Sequence, residues 1–356
     1  MKHWKETEEI LARVGALLSD GRAGALATVV RIRGSAYRRP GAKFLVEDGG
    51  RTLGGVSGGC LEADVREHAR RDVIPSGTPV LLHYDTGSDD RVVWGLGLGC
   101  NGSVDVFVQR IDALADLLAT LGELLRSDSA FSISTVLSGP AIGEHLVLGP
   151  DSDAAPPRSP HVDLAVARQR LASGESGVDE AGGALVFTEV LWPPSHLVVC
   201  GAGDDARPVV ARAAAAGFQV TVIDHRPAFL TADRFPDARR LLQMRPDDYG
   251  GAFLAGSRTS VILMNHSLGL DREWLRRLLP TGAGYIGLLG PRARCEEILG
   301  QLGVDDDARV FGPVGLDVGA EGPEQIAISI VAELLAVRAR REPRHLRERG
   351  IPIHAE

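Results

Sequence analysis

Val198-Val199-Cys200-Gly201-Ala202-Gly203-Asp204-Asp205-Ala206 is an apolar strand running into a G-x-G-x-x-A turn and a helix. In this pattern the first glycine permits the tight turn and the second lets backbone approach a phosphate. The small third residue lets the helix pack against the strand. Asp224 lies 23 residues after Gly201, at the end of FQVTVID, where a ribose-binding carboxylate stands in a dinucleotide fold. Around this unit the pattern continues. HLVVC leads into ARPVVARAAAAG and then FQVTVID. SVILMN at 260–265, a helix at 271–279, YIGLLG at 285–290, a helix at 292–302 and a long helix at 323–341 follow. Strands alternating with helices predict parallel βαβ units, and so a Rossmann-like doubly wound parallel sheet.

Upstream of Trp192-Pro193-Pro194-Ser195 the pattern differs. Residues 6–19 read as an amphipathic helix. The segments 25–32, 43–47, 79–84, 104–109, 131–137, 144–148 and 184–191 read as strands, with helices at 61–71 and near 111–125. The Pro/Ser/Asp-rich stretch 149–160 reads as a surface loop or linker. The expected organisation is an N-terminal α/β (α+β) domain at 1–191 with glycine-rich loops, a Rossmann-like domain at 192–342 and a polar tail at 343–356.

Asp204 and Asp205 complicate the dinucleotide reading, because two carboxylates at a helix N-terminus would repel a pyrophosphate. They equally suit capping and the helix dipole. A second candidate anion cradle is Gly290-Pro291-Arg292-Ala293-Arg294, where Arg292 and Arg294 flank a helix start. A NAD(P)-dependent oxidoreductase would rest on Gly201, Gly203 and Asp224 alone. No hydride-transfer pair of the Tyr-x-x-x-Lys kind accompanies them, since lysine is absent after Lys43.

Of 356 residues 43 are glycine, without a collagen-like period, and residues 34–102 hold 14 of them. The formal charge of −8 excludes the dense positive face that broad nucleic-acid binding needs. The start MKHWKETEEI lacks an apolar signal region, and no apolar run reaches the roughly 18 residues of a membrane span. The expected compartment is the cytoplasm, where the four cysteines would be thiols.

Two of those thiols sit in glycine-rich loops. Gly54-Gly55-Val56-Ser57-Gly58-Gly59-Cys60-Leu61-Glu62 places Cys60 where backbone amides and a helix start favour thiolate. Ser57 adds a hydroxyl, and Gly58 and Gly59 leave backbone bare to a bulky or anionic group. Trp94-Gly95-Leu96-Gly97-Leu98-Gly99-Cys100-Asn101-Gly102 repeats the arrangement around Gly99 and Cys100. Arg33-Gly34-Ser35-Ala36-Tyr37-Arg38-Arg39-Pro40-Gly41 is a basic turn suited to phosphate, chiefly through Arg38 and Arg39. Buried cysteines against tight turns would give the same pattern, and so would a switchable Cys60–Cys100 disulfide. Metal-ligand spacing of the zinc kind is absent.

In order along the chain, GSAYRRPGAKFLV, GGVSGGCLEADV, WGLGLGCNG, HLVVCGAGDDARPV, AGYIGLLGPRAR and GLDVGAEGPEQIAISIVAELLA resemble the XdhC/CoxI family, accessory proteins of molybdenum hydroxylases such as xanthine dehydrogenase. Asn101 and the Ala36-Tyr37 pair depart from the pattern usual in the family, and 149–183 carries no family signal. The resemblance implies a maturation factor, not a turnover enzyme. Such a factor binds the molybdenum cofactor, shields it, presents it to a cysteine desulfurase for oxo-to-sulfide exchange and inserts it into the apo molybdenum hydroxylase. Molybdenum is thiophilic, so Cys60 or Cys100 would coordinate it or carry sulfur, and these are the catalytic candidates. Arg38, Arg39, Arg292 and Arg294 would hold the molybdopterin phosphate or the pyrophosphate of a dinucleotide form. The sequence leaves open which form is bound, whether the chain forms a homodimer, and whether the Rossmann domain takes NAD(P) or the cofactor's nucleotide.

Overall fold

The structure is a computed structural model that describes residues 2–34, 37–85, 102–127, 129–149, 162–251, 253, 255–304 and 306–350. The chain separates into two compact units, one reaching Pro193 and one starting at Pro194.

The first unit opens with helix α1 (Lys2–Ser19), whose Ile10, Val14 and Leu17 are buried at helical spacing. Strands β1 (Gly24–Gly34), β2 (Lys43–Glu47) and β3 (Thr52–Gly54) follow, then helix α2 (Glu62–His68), β4 (Val80–Asp85) and β5 (Gly102–Arg110). They make an antiparallel sheet in the order β3-β2-β1-β5-β4. Helix α2 runs on through a π-helical segment, Ala69–Val73, where the sequence predicted one regular helix. Val65, Ala69 and Val73 cover one face of the sheet, against Val29, Phe44, Val106 and Val108.

Helix α3 (Leu118–Arg126) is entered through a 3-10 segment, Ile111–Leu117. Next come β6 (Phe131–Val136), β7 (His145–Leu148), helix α4 (Leu164–Ser173), β8 (Gly177–Ala181) and β9 (Ala184–Leu191). These strands form a second antiparallel sheet, β7-β6-β9-β8. Sequence reading leaves α4 unassigned, yet Asp163 caps it by accepting from the amides of Ala165 and Val166. A buried ion pair joins the two sheets. Lys43 Nζ donates to Glu189 at 2.6 and 2.8 Å and to the Gly41 carbonyl at 3.0 Å.

The second unit is built on β10 (His196–Cys200), α5 (Ala206–Ala215), β11 (Gln219–Asp224), β12 (Arg240–Gln243) and β13 (Thr259–Leu263). It continues with α6 (Leu268–Leu278), β14 (Tyr285–Leu288), α7 (Arg292–Leu302), β15 (Val310–Phe311) and α8 (Gly322–Arg338). The six strands are parallel throughout, in the order β12-β11-β10-β13-β14-β15. This is the doubly wound Rossmann-type sheet expected from the sequence. Strand period sets the two cores. Leu197 and Val199 pack on the side of Val209 and Ile330, from α5 and α8. Val198 and Cys200 pack on the side of Leu275 and Ile298, from α6 and α7. Chain direction away from the sheet reverses between β10 and β13, so their carboxyl ends open the crevice where such folds bind ligands.

Candidate functional site

The Cys60 loop satisfies its own polar groups. The Ser57 hydroxyl oxygen accepts from the amides of Gly59, Cys60 and Leu61 at 3.1, 2.9 and 3.0 Å and donates its own hydrogen to Glu62. Glu62 returns along the loop and accepts from the amides of Val56 and Ser57 at 3.1 and 2.8 Å. Burial pushes the Glu62 carboxyl up, but these bonds outweigh it and hold the group below its usual range. Gly54 has no room for a side chain, since a Cβ would lie 2.3 Å from the Lys43 carbonyl. The closed loop leaves Cys60 half-buried and outside any disulfide. An open groove of about 750 Å³ starts there and continues along Asp64, Arg66, Glu67, Arg70 and Arg71.

The basic turn meets this loop. The exposed Tyr37 ring runs beside Gly58, 3.7 Å from where a Cβ on that glycine would lie. Arg38, expected to hold phosphate, pairs with Glu6 of α1, whereas Arg39 is exposed. Ser57 is a loop organiser, a role its hydroxyl alone did not announce. The role of Glu62 escaped the sequence reading, which noted Tyr84 only as a residue preceding the second cysteine loop. Tyr84 donates to Asp64 Oδ2 at 2.7 Å and so fixes one wall of the groove. Gly99 and Cys100, with the rest of the Trp94–Asn101 loop, lie outside the described residues.

In the second unit, Gly201 has φ +117°, and a Cβ there would approach the Met264 carbonyl oxygen to 2.4 Å. Asp224 stands where expected, but it is 2% exposed and both its oxygens are engaged. Oδ1 accepts from the Arg226 amide at 2.9 Å and Arg226 Nε at 3.0 Å. Oδ2 accepts from Arg226 Nη2 and the Ala202 amide, each at 2.8 Å. Burial alone would raise the Asp224 pKa; the Arg226 and amide bonds prevail and bring it down to about 2. A ribose hydroxyl would have to displace Arg226. Arg226 in turn lies over the Phe229 ring, 4.0 Å from its centroid.

Asp205 bends back over the glycine turn, its Oδ1 falling 2.7 Å from where a Gly203 Cβ would be, and pairs with His266 at 2.9 Å. Asp204 pairs with Arg234 at 3.0 Å. Both carboxylates therefore stand over the turn with cationic or titratable partners, and Asp205 makes no side-chain cap. At the other cradle, Arg294 folds over Gly290 and pairs with the buried Asp271, which also accepts from Asn265. Burial raises the Asp271 carboxyl above its ordinary range despite these partners. Arg292 remains exposed on the first turn of α7. Cys200 and Cys295 are buried, and burial pushes both thiols up.

A Rossmann-type unit joined to a β-rich unit with a thiol in a glycine loop defines the class of protein. Residues 197–334 match the family described as the XdhC Rossmann domain, and residues 17–85 match the XdhC and CoxI family. This chain belongs to the XdhC/CoxI family. It is 33% identical over 338 residues to a probable xanthine dehydrogenase subunit of Bacillus subtilis, covering 91% of this chain and 96% of that one. It is 25% identical to the molybdenum cofactor insertion chaperone PaoD of Escherichia coli, over 96% of this chain and 94% of that protein. Among solved structures it resembles a xanthine dehydrogenase crystal structure from Bacillus halodurans, with TM-score 0.74, 29% identity and coverage of 93% and 96%.

Proposed function

We propose that this protein is a molybdenum-cofactor chaperone that binds the cofactor at the Cys60 loop and delivers it to an apo molybdenum hydroxylase. The observation that carries this reading is the half-buried Cys60 thiol, held in a self-capped loop beside an arginine-bearing groove. The relationship to an insertion chaperone supports it. A thiol is a suitable ligand for thiophilic molybdenum, and a loop whose amides are already satisfied can present it without rearranging. Cys60 and Cys100 are the proposed metal or sulfur contacts, with Arg39 of the basic turn as a proposed phosphate contact. In this reading a cysteine desulfurase sulfurates the held cofactor before insertion, in the cytoplasm. The domain division at 192 separates cofactor handling from the Rossmann unit. The saturated Asp224 and the carboxylates over the glycine turn weigh against NAD(P) chemistry.

The test is to co-express the chain with cofactor biosynthesis, purify it and measure bound molybdenum and pterin. Wild type should retain both. Cys60→Ala should lose on the order of tenfold in bound molybdenum, the equivalent of one lost ligand contact of about 1.4 kcal/mol. A wild-type protein free of cofactor would overturn the function, and equal retention by Cys60→Ala would overturn the site.

A further inference from the structure

We infer that Arg66 and Arg70, on the helix that follows Cys60, form a subsite for a phosphate ester on the ligand held at that thiol. The inference rests on the cofactor reading above and names the part of the ligand that this face takes. Leu61, Val65, Ala69 and Val73 are all buried, one every fourth residue. In an unbroken α-helix such a series drifts by about 40° at each step. The π-helical segment Ala69–Val73 has a wider turn, which offsets the drift and keeps Ala69 and Val73 in the core. The flank beside that core face keeps register for the same reason, so Arg66 and Arg70 both line the groove that begins at Cys60. The groove runs from Cys60 past Arg66 on the α-helical turn to Arg70 in the π-helical segment.

The ion pairs on this face are unevenly shared among its arginines. Arg71 is engaged by Asp72 through two nitrogens, each at 3.0 Å, and by Glu67 at 3.2 Å. His68 lies 3.0 Å from Asp72 and 3.7 Å from Asp64, and Asp64 accepts from Tyr84. Every carboxylate on the face thus has a partner already. Among the described residues, Arg66 and Arg70 have no ion-pair partner. Like charges four residues apart on a helix repel, a cost that a dianion bound between them removes. Two guanidinium forks match phosphate oxygens bidentately.

The experiment uses the full chain, isolated with its cofactor at low salt. Bound pterin is measured as its fluorescent oxidation product after washes of rising sodium chloride, and separately after sodium pyrophosphate at equal ionic strength. Wild type should release pterin to pyrophosphate at lower ionic strength than to chloride. Arg66→Gln with Arg70→Gln should retain on the order of tenfold less pterin and lose the pyrophosphate effect, with an unchanged circular dichroism spectrum. If that variant does not fold, the wild-type pyrophosphate comparison decides: selective release supports the subsite, and equal release overturns it. Wild-type retention matched by the folded double variant overturns the subsite alone. No pterin on wild type overturns the cofactor reading itself.

Discussion

Ser57 shows what one hydroxyl can determine. It collects three consecutive amides and gives its hydrogen to Glu62, so the loop's conformation depends on a single side chain. Ser57→Ala should cost about 1–2 kcal/mol, read as a lower thermal midpoint, whereas Ser57→Thr, which keeps a hydroxyl to accept the amides and donate to Glu62, should restore part of it. The motif GGVSGGC advertised a cradle for something external; the structure shows the amides following Ser57 turned to its own side chain. Asp224 carries a similar lesson. Its place at the end of β11 was legible from the spacing to Gly201, but its saturation by Arg226 was not. Spacing locates a residue on an element, while its partners depend on rotamers that sequence patterns do not encode.

At the scale of elements, the parallel strands and their helices were legible because buried apolar runs and helical periodicity are local properties. What escaped were elements with weak patterns. Strand β12, at the sheet edge, is RLLQ with exposed ends, and α4 carries little amphipathic contrast. Contacts that tie elements together escaped for another reason. Lys43 and Glu189 are 146 residues apart, and Arg294 reaches Asp271 across 23 residues. The Lys43–Glu189 pair, with side chains 5% and 7% exposed, couples the two sheets of the first unit. Removing one partner by Glu189→Leu should cost about 3–5 kcal/mol in urea unfolding, because it strands a buried ammonium. Lys43→Met added to Glu189→Leu should recover most of that loss, since no charge is then left buried.

At the scale of the whole molecule, acid stability follows from two groups. Burial lowers the His145 pKa from 6.5 to about 4, while its ring joins Thr135 and Gln109, each at 3.0 Å. Between those values the unfolded chain takes up the proton and the folded chain does not. The contribution is therefore full above pH 6.5 and falls by at most about 3 kcal/mol as pH drops toward 4. Asp224 acts lower, its stabilisation present above 3.8 and lost as pH falls toward 2. Unfolding free energies across pH 7 to 4 should show the first loss, and His145→Gln should flatten that window.

The sequence by itself determined the Rossmann-type unit, the family and the position of Cys60 at a glycine loop, because periodicity, turn glycines and motif order are properties of neighbouring residues. Only the tertiary structure decided which groups remain available to a ligand. Asp224, Arg38 and Arg294 were candidate ligand contacts, and each is held by a partner brought close through folding. Arg66 and Arg70 drew no attention in the sequence and emerge, among the described residues, as cations lining the groove that starts at the thiol, without an ion-pair partner. A charge acts on a ligand only when no other charge in the fold has claimed it, and that accounting exists only in three dimensions.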